Sequence, residues 1–231
     1  MTKNFGDHVI KFNKSLNPDI KLPKGISILN PFRENPEILP ISSTFYKKYY
    51  SDKNQRRIIM GINPGRLGAG ATGIPFTDTK RLLSHCNIKT KSIQTHEPSS
   101  VFVYDVIDAF GGVEEFYKQF YITSICPLGF VKSTQASKEV NYNYYDDAKL
   151  EKSIRPFAIQ SLKEQLKWGI DPDIAYCFGT GKNHKFIDGI NKEYGFFKQL
   201  IPLEHPRCIM QYKSKNKEFY IAKYLEALTM I

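Results

Sequence analysis

Residues Arg56 to Phe76 read RRIIMGINPGRLGAGATGIPF. The first part, Arg56 to Ile62, is an apolar run that stops at the turn-forming Asn63-Pro64-Gly65, as a buried parallel strand does. A glycine-rich loop comes next. Five of the sixteen residues from Gly61 to Phe76 are glycine, a concentration that lets backbone approach a ligand closely or take a positive φ. A strand that empties into such a loop is the start of an α/β unit, whose ligands bind beyond the carboxyl ends of the strands.

Outward from this stretch, three more segments read as strands: Phe120 to Ile125, stopped by Cys126-Pro127; Ile174 to Phe178; and Gln199 to Leu203. Helices fall between them. Thr77 or Asp78 can cap a helix from Thr79 to Cys86, and Ser99 or Ser100 one from Val101 to Phe110 that ends at Gly111-Gly112. A further helix is expected to start near Pro156 and close at Gly169, followed by a short one from Asn183 to Asn191 and a last one from Glu218 to Thr229. Strands separated by helices predict a three-layer α/β/α fold around a central, mostly parallel four-stranded sheet with right-handed crossovers. The breakers Asn17-Pro18, Pro23-Lys24-Gly25, Asn30-Pro31, Asn35-Pro36 and Pro40 make residues 1–50 a wrapping segment of loops and short helices. The whole of residues 1–231 is expected to form one domain.

Composition narrows the partner. The 33 Lys and Arg against 23 Asp and Glu give a formal charge of +10, which points to a polyanion: nucleic acid, an anionic membrane face or a phosphorylated ligand. Aromatics at 13% of the chain argue against a disordered basic tail. The chain has no apolar stretch near the roughly 18 residues of a membrane span, and the N-terminus has no continuous apolar signal core. The four cysteines are scattered, with no C-x-x-C pair, so no zinc or iron–sulfur site is expected and the thiols read as reduced and cytoplasmic.

Four polar strand ends should share one rim: Asn63 with its loop, Ser124, Gly179-Thr180-Gly181, and His205-Pro206-Arg207. The glycine-rich loop is not a phosphate-binding P-loop, since no Gly-Lys-Ser/Thr ends it, and Gly179-Thr180-Gly181-Lys182-Asn183 lacks the first glycine and the hydroxyl of that motif. Glycine richness alone would read as a surface loop. The order of the residues is more specific. Gly61-Ile62-Asn63-Pro64-Gly65 followed by Thr72-Gly73-Ile74-Pro75-Phe76 resembles the first motif of the uracil-DNA glycosylase superfamily, nearest to a bacterial subfamily of its single-strand-selective monofunctional (SMUG-like) branch. Ser124-Ile125-Cys126-Pro127-Leu128 resembles that family's Asn-Leu-Cys-Pro-Leu, and His205-Pro206 resembles the start of its second catalytic motif.

The resemblance implies a cofactor-free enzyme of base excision repair that flips uracil out of single- and double-stranded DNA and hydrolyses the N-glycosidic bond. Asn63 would orient the attacking water, since a neutral amide cannot take its proton, and His205 would donate to uracil O2 as negative charge develops. Phe76 matches the stacking aromatic, Gly65 the residue whose backbone passes near C5, and Ile62 the one whose amide can face O2. Ser124 stands where the family usually has an Asn that pairs with the uracil edge; it either supplies one hydrogen bond while other groups supply the rest, or only caps its strand. The family's His-Pro-Ser-Pro-Arg is here His205-Pro206-Arg207-Cys208-Ile209. Arg207 is therefore a candidate to fill the vacated stack or bind a phosphate, with Ile209 or Met210 as apolar alternatives and a structural salt bridge as the other role for Arg207. Thr180, Lys182 and Lys213 read as further DNA contacts, and Lys213, Lys215 and Lys217 among Tyr212, Phe219 and Tyr220 suit a single strand. No lysine occupies a matched position as a Schiff-base nucleophile, which implies a monofunctional enzyme.

The expected protein is thus a cytoplasmic, nucleoid-associated monomer with DNA as partner. Three other readings remain: a glycosylase for another deaminated or oxidised base, a nucleic-acid-binding module of the same fold with little catalysis, and a magnesium-dependent enzyme acting on a small nucleotide. The positive charge should gather around the Gly61 to Phe76 loop, the Thr180 turn and the His205 to Lys217 segment.

Overall fold

A computed structural model describes residues 3–133 and 138–229. The chain opens with α1 (Phe5–Ser15), β1 (Ile26–Leu29), α2 (Pro31–Glu34) and α3 (Ile38–Tyr49), then enters β2 (Arg56–Gly61). After the glycine-rich loop with its single turn α4 (Ala69–Thr72) come α5 (Thr79–Ser84), α6 (Pro98–Ala109), α7 (Val113–Gln119), β3 (Phe120–Ser124), β4 (Gly129–Ser133) and β5 (Glu139–Tyr142). The last part runs α8 (Ala148–Leu166), β6 (Ile170–Phe178), α9 (Lys182–Tyr194), β7 (Gln199–Leu203), α10 (Pro206–Tyr212) and α11 (Lys217–Thr229).

The four strands expected from sequence form one parallel sheet in the order β3-β2-β6-β7. All five residues of β3 are buried, as are Ile58, Ile59 and Met60 of β2 and Ala175 to Phe178 of β6, so these strands are apolar on both faces because both are covered. Register fixes the rim: Gly61 lies beside Ser124, and Phe178 beside Leu203. The carboxyl ends of all four strands therefore reach one edge together.

Three expectations change, and a choice between two caps is resolved. The helix placed near Pro156 begins at Ala148, where Asp147 accepts from the N–H groups of Lys149 and Leu150 at 2.8 and 3.0 Å; Pro156 lies mid-helix on an exposed position, where the lost donor is least costly. The cap of α5 is Asp78, accepting from Arg81 N–H at 2.9 Å, while the Thr77 hydroxyl pairs with Tyr104 Oη at 3.1 Å. Pro98 takes the first turn of α6 with Glu97 before it, and Ser99 and Ser100 sit inside the helix. A second sheet was not anticipated: β1, β4 and β5 pair antiparallel in the order β1-β4-β5.

The first fifty residues wrap the domain with two substantial helices rather than short ones. Phe5 and Val9 of α1 and Ile41, Phe45 and Tyr46 of α3 belong to the main core. Arg56 pins this segment to the sheet. Its side chain is fully buried and bonds Asp52 at 2.8 Å and the Tyr117 carbonyl at 2.8 Å, with the rings of Phe5 and Tyr50 4.8 and 4.7 Å away; a buried cation persists only with such compensation.

Candidate active site

Beyond the carboxyl rim lies a cleft of about 640 Å³. Ile62, Asn63, Gly65, Phe76, Ser124, Thr180, Lys182, His205, Arg207 and Lys213 all line it, whereas the alternative candidates Ile209, Met210, Lys215 and Lys217 are not among its lining residues.

Asn63 stands two residues beyond Gly61, the last residue of β2, and its amide is held at both ends by backbone from the end of β5 and the residues just after it. Oδ1 accepts from Tyr144 N–H at 3.1 Å, and Nδ2 donates to the Tyr142 carbonyl at 3.1 Å and the Pro64 carbonyl at 3.4 Å. These bonds fix which amide atom is which and occupy both N–H groups. One lone pair on Oδ1 remains. Tyr144 is itself anchored, its hydroxyl donating to Asn183 Oδ1 at 2.7 Å while Asn183 Nδ2 donates to the Phe178 carbonyl at 2.9 Å. Sequence reasoning assigned no role to Tyr144 or to the Asn183 side chain, because the contact each makes is formed only by the folded chain.

His205 follows β7 and caps α10. Its Nδ1 accepts from the Arg207 N–H at 3.1 Å, which leaves the neutral ring's proton on Nε2. Burial, with a smaller push from the Arg207 guanidinium, lowers the imidazole pKa to about 4. At neutral pH the group is an uncharged donor. Its ring centroid is 5.8 Å from that of Phe76.

Phe76 carries a left-handed backbone, φ 53°, costly for a non-glycine residue. The turn is over-determined: Thr72 Oγ1 donates to the Thr77 carbonyl at 2.6 Å, and Asp78, fully buried, accepts from Arg81 and from the Glu97 N–H at 2.6 Å. The ring stands edge-to-face on Phe178, centroids 4.9 Å apart. Gly61 makes room for it, since a Cβ there would sit 2.7 Å from Phe76 Cε2. Ser124 is only 5% exposed, and its hydroxyl makes no hydrogen bond among the described residues.

At the mouth, Thr180 and Lys182 are exposed after Gly179, whose φ of 113° shapes the turn; the Lys182 ammonium is 5.6 Å from the Tyr145 ring. Arg207 is exposed and makes no ion pair among the described residues, so the structural salt bridge is not formed. Lys213 lies 5.0 Å over the Tyr220 ring, and Lys217 is paired to Asp105 at 2.9 Å. Ile209 is fully buried and Met210 partly so, which leaves Arg207 the more accessible of the three. Among the described residues no group of three or more His, Cys, Asp or Glu could hold a metal ion, and no helix is long and apolar enough to cross a membrane.

Residues 47–229 match the model of the uracil DNA glycosylase superfamily. The chain belongs to that superfamily. A crystal structure of wild-type SMUG2 from Pedobacter heparinus is 54% identical to it, with a TM-score of 0.96 over 98% of this chain and 97% of that one. No curated protein matches. Membership gives a uracil-DNA glycosylase-type hydrolase of DNA repair with DNA as its substrate, and the likeness to a bacterial SMUG-like protein agrees with the branch read from the motifs.

Two more cleft residues escaped the sequence reading. Glu97 and Asn141 belong to none of the motifs, yet both line the cavity. Burial holds the Glu97 carboxyl above its usual range; the Ser100 hydroxyl opposes this, Asp78 adds to it, and Arg207 opposes it.

Proposed function

We propose that the protein is a monofunctional uracil-DNA glycosylase, needing no cofactor, that flips uracil from single- or double-stranded DNA and leaves an abasic site. The observation that carries this reading is the pairing, in one cleft, of a neutral His205 whose Nε2–H is its free donor with an Asn63 amide left with one acceptor position. A water donating to Asn63 Oδ1 turns an oxygen lone pair outward, toward C1′ of a flipped nucleotide. His205 offers Nε2–H to O2 of the base as the C1′–N1 bond breaks and the electron pair leaves with the base. The water oxygen then bonds to the oxocarbenium carbon, and its proton passes to solvent or to the departing base. Phe76 supplies the stacking face, with Ile62 and Gly65 as the neighbouring backbone. Thr180, Lys182, Arg207 and Lys213 contact the strand.

The deciding experiment is abasic-site formation on an oligonucleotide carrying a single uracil, in chelator, with the wild type, Asn63→Ala and His205→Ala. Uracil release that collapses in both variants supports the reading. Tight binding of the wild type without release would favour a binding module, and activity only with Mg²⁺ a nucleotide-processing enzyme.

Ser124 supports a second reading of substrate range. A lone, unbonded hydroxyl can donate or accept, whereas an amide fixes both roles in a plane. Competition among uracil, hypoxanthine, xanthine and 5-hydroxymethyluracil substrates tests whether bases other than uracil are released.

A further inference from the structure

The last helix has no part in the proposed chemistry, yet it reaches the residue that precedes His205. Tyr224 of α11, 1% exposed, donates its hydroxyl to the carbonyl oxygen of Glu204. Its neighbour Lys223 holds the Glu204 carboxylate, with Nζ 2.9 Å from Oε1 and 3.2 Å from Oε2. Backbone and side chain of Glu204 are thus both gripped from one turn of α11.

The place of this grip in the chain gives it leverage over the site. Three successive carbonyls mark the passage from β7 into α10. That of Leu203 accepts from the Gly179 N–H at 2.7 Å, just beyond the neighbouring strand β6, and that of His205 accepts from the N–H groups of Cys208 and Ile209 at 2.8 and 3.2 Å inside α10. The carbonyl between them, that of Glu204, is held by a side chain 20 positions further along. Because the peptide group is planar, the bond that aims the Glu204 carbonyl also fixes the plane of the His205 N–H. The direction in which the imidazole leaves the chain follows from that plane. A ring that must present Nε2–H to a base oxygen depends on this direction, since hydrogen bonds weaken steeply with misalignment.

The Tyr224 ring has a separate task. Its centroid lies 5.7 Å from that of Phe178 and 5.0 Å from that of Phe102 in α6, and Phe178 supports Phe76 in turn. Ring and hydroxyl can therefore be tested apart.

We propose that Tyr224 is a positioning residue for base release, its hydroxyl setting the peptide plane from which the His205 imidazole projects. The inference rests on the role given to His205 in the proposed reaction. A donor displaced by a fraction of an ångström loses hold of the developing charge while ground-state binding persists.

The test is Tyr224→Phe, which keeps the ring on Phe178 and removes only the oxygen. Tyr176→Phe is the control: the Tyr176 hydroxyl donates to the Ala227 carbonyl at 3.0 Å, so the same kind of bond to α11 is lost, but away from His205. On an oligonucleotide with a single uracil, the single-turnover rate is expected to fall about tenfold in Tyr224→Phe, with the dissociation constant for DNA within about twofold of wild type. Tyr176→Phe should release uracil at the wild-type rate. In a His205→Ala background, Tyr224→Phe should cost nothing further, because its effect passes through the missing ring. A second readout needs no activity: NMR titration of the His205 imidazole, whose pKa burial and the Arg207 guanidinium hold at about 4. It should rise toward 6.5 in Tyr224→Phe, as the ring gains access to water, and stay in place in Tyr176→Phe. Wild-type release together with an unmoved titration in Tyr224→Phe overturns the proposal, as do equal losses in the two tyrosine variants or a loss that persists without His205. Failure of the wild type to release uracil would remove the glycosylase reading instead; the titration alone would then decide, a raised pKa supporting the positioning role and an unmoved one ending it.

Discussion

The backbone N–H of Arg207 donates to Nδ1 of His205 at 3.1 Å. The bond fixes the tautomer, and the imidazole pKa near 4 keeps the ring neutral, so the donor proposed for base release needs no protonation event. The rate of base release is expected to be level with respect to this group from about pH 5 to 8 and to fall below that range, where a proton on Nδ1 would oppose the Arg207 N–H. Stability follows the same sign. The unfolded chain, with an ordinary imidazole, binds the proton first, so the folded state loses stability as pH falls from about 6.5 through 4 and gains nothing above. A single-turnover pH profile that instead rises toward an acid optimum near pH 6 would contradict a neutral His205. His205→Ala should slow release by about 10²–10³-fold with DNA binding retained.

Asn63 gives a second, less intuitive outcome. An aspartate there would be the stronger base, but its second oxygen would face the Tyr142 carbonyl, where Asn63 Nδ2 now donates. Two acceptors in contact cost about 1–3 kcal/mol. Asn63→Asp is therefore expected to lower stability by that amount in denaturant unfolding and to give no gain in the rate of uracil release. A faster, equally stable variant would show that the amide bonds do not set the water's position.

How far the sequence could be read depends on the same contacts. The parallel strands were legible because each is an apolar run closed by a turn signal, and their polar ends marked the rim; the roles of Ile62, Gly65 and Phe76 came from the resemblance to the glycosylase family. The antiparallel sheet was not, since Glu139 to Asn141 of β5 are exposed and β1 buries only Ile26 fully; its pairing is long-range, and no local pattern announces it. Pro156 misled because proline favours a first helical turn, and here the preceding residues from Asp147 cap and nucleate the helix before it. Glu97 and Asn141 carried no signal. Their placement over Gly65 exists only once α6 and β5 have packed on either side of the loop.

Phe76 separates strain from function. Its ring is the proposed stacking face, yet its φ of 53° stores conformational cost. Phe76→Gly should relieve the backbone while deleting the ring, so uracil-DNA binding should weaken by about 1–3 kcal/mol with little loss of thermal stability. Gly61→Ala tests the other side: the added Cβ, 2.7 Å from Phe76 Cε2, must displace the ring into the cleft. Base release is expected to drop in both variants, measured as single-turnover rates. Wild-type rates in Gly61→Ala would mean that the ring's position is not what the cleft depends on.

The cations at the mouth make the last prediction, on salt. Arg207 and Lys182 are exposed and have no ion pair among the described residues, so each is available to replace a counterion on a phosphate. Lys198 is equally exposed but is bound to Asp173 at 2.9 Å just before β7, at the amino end of the sheet and away from the rim. Replacing Arg207 or Lys182 by alanine should reduce the slope of log affinity against log salt by about 0.7–0.9 per contact, the smaller value for a single strand. Lys198→Ala should leave the slope unchanged. Fluorescence anisotropy across a salt series decides it: equal effects from all three would mean that net charge alone attracts the DNA, and the strand's path over the Thr180 turn and α10 would have to be abandoned.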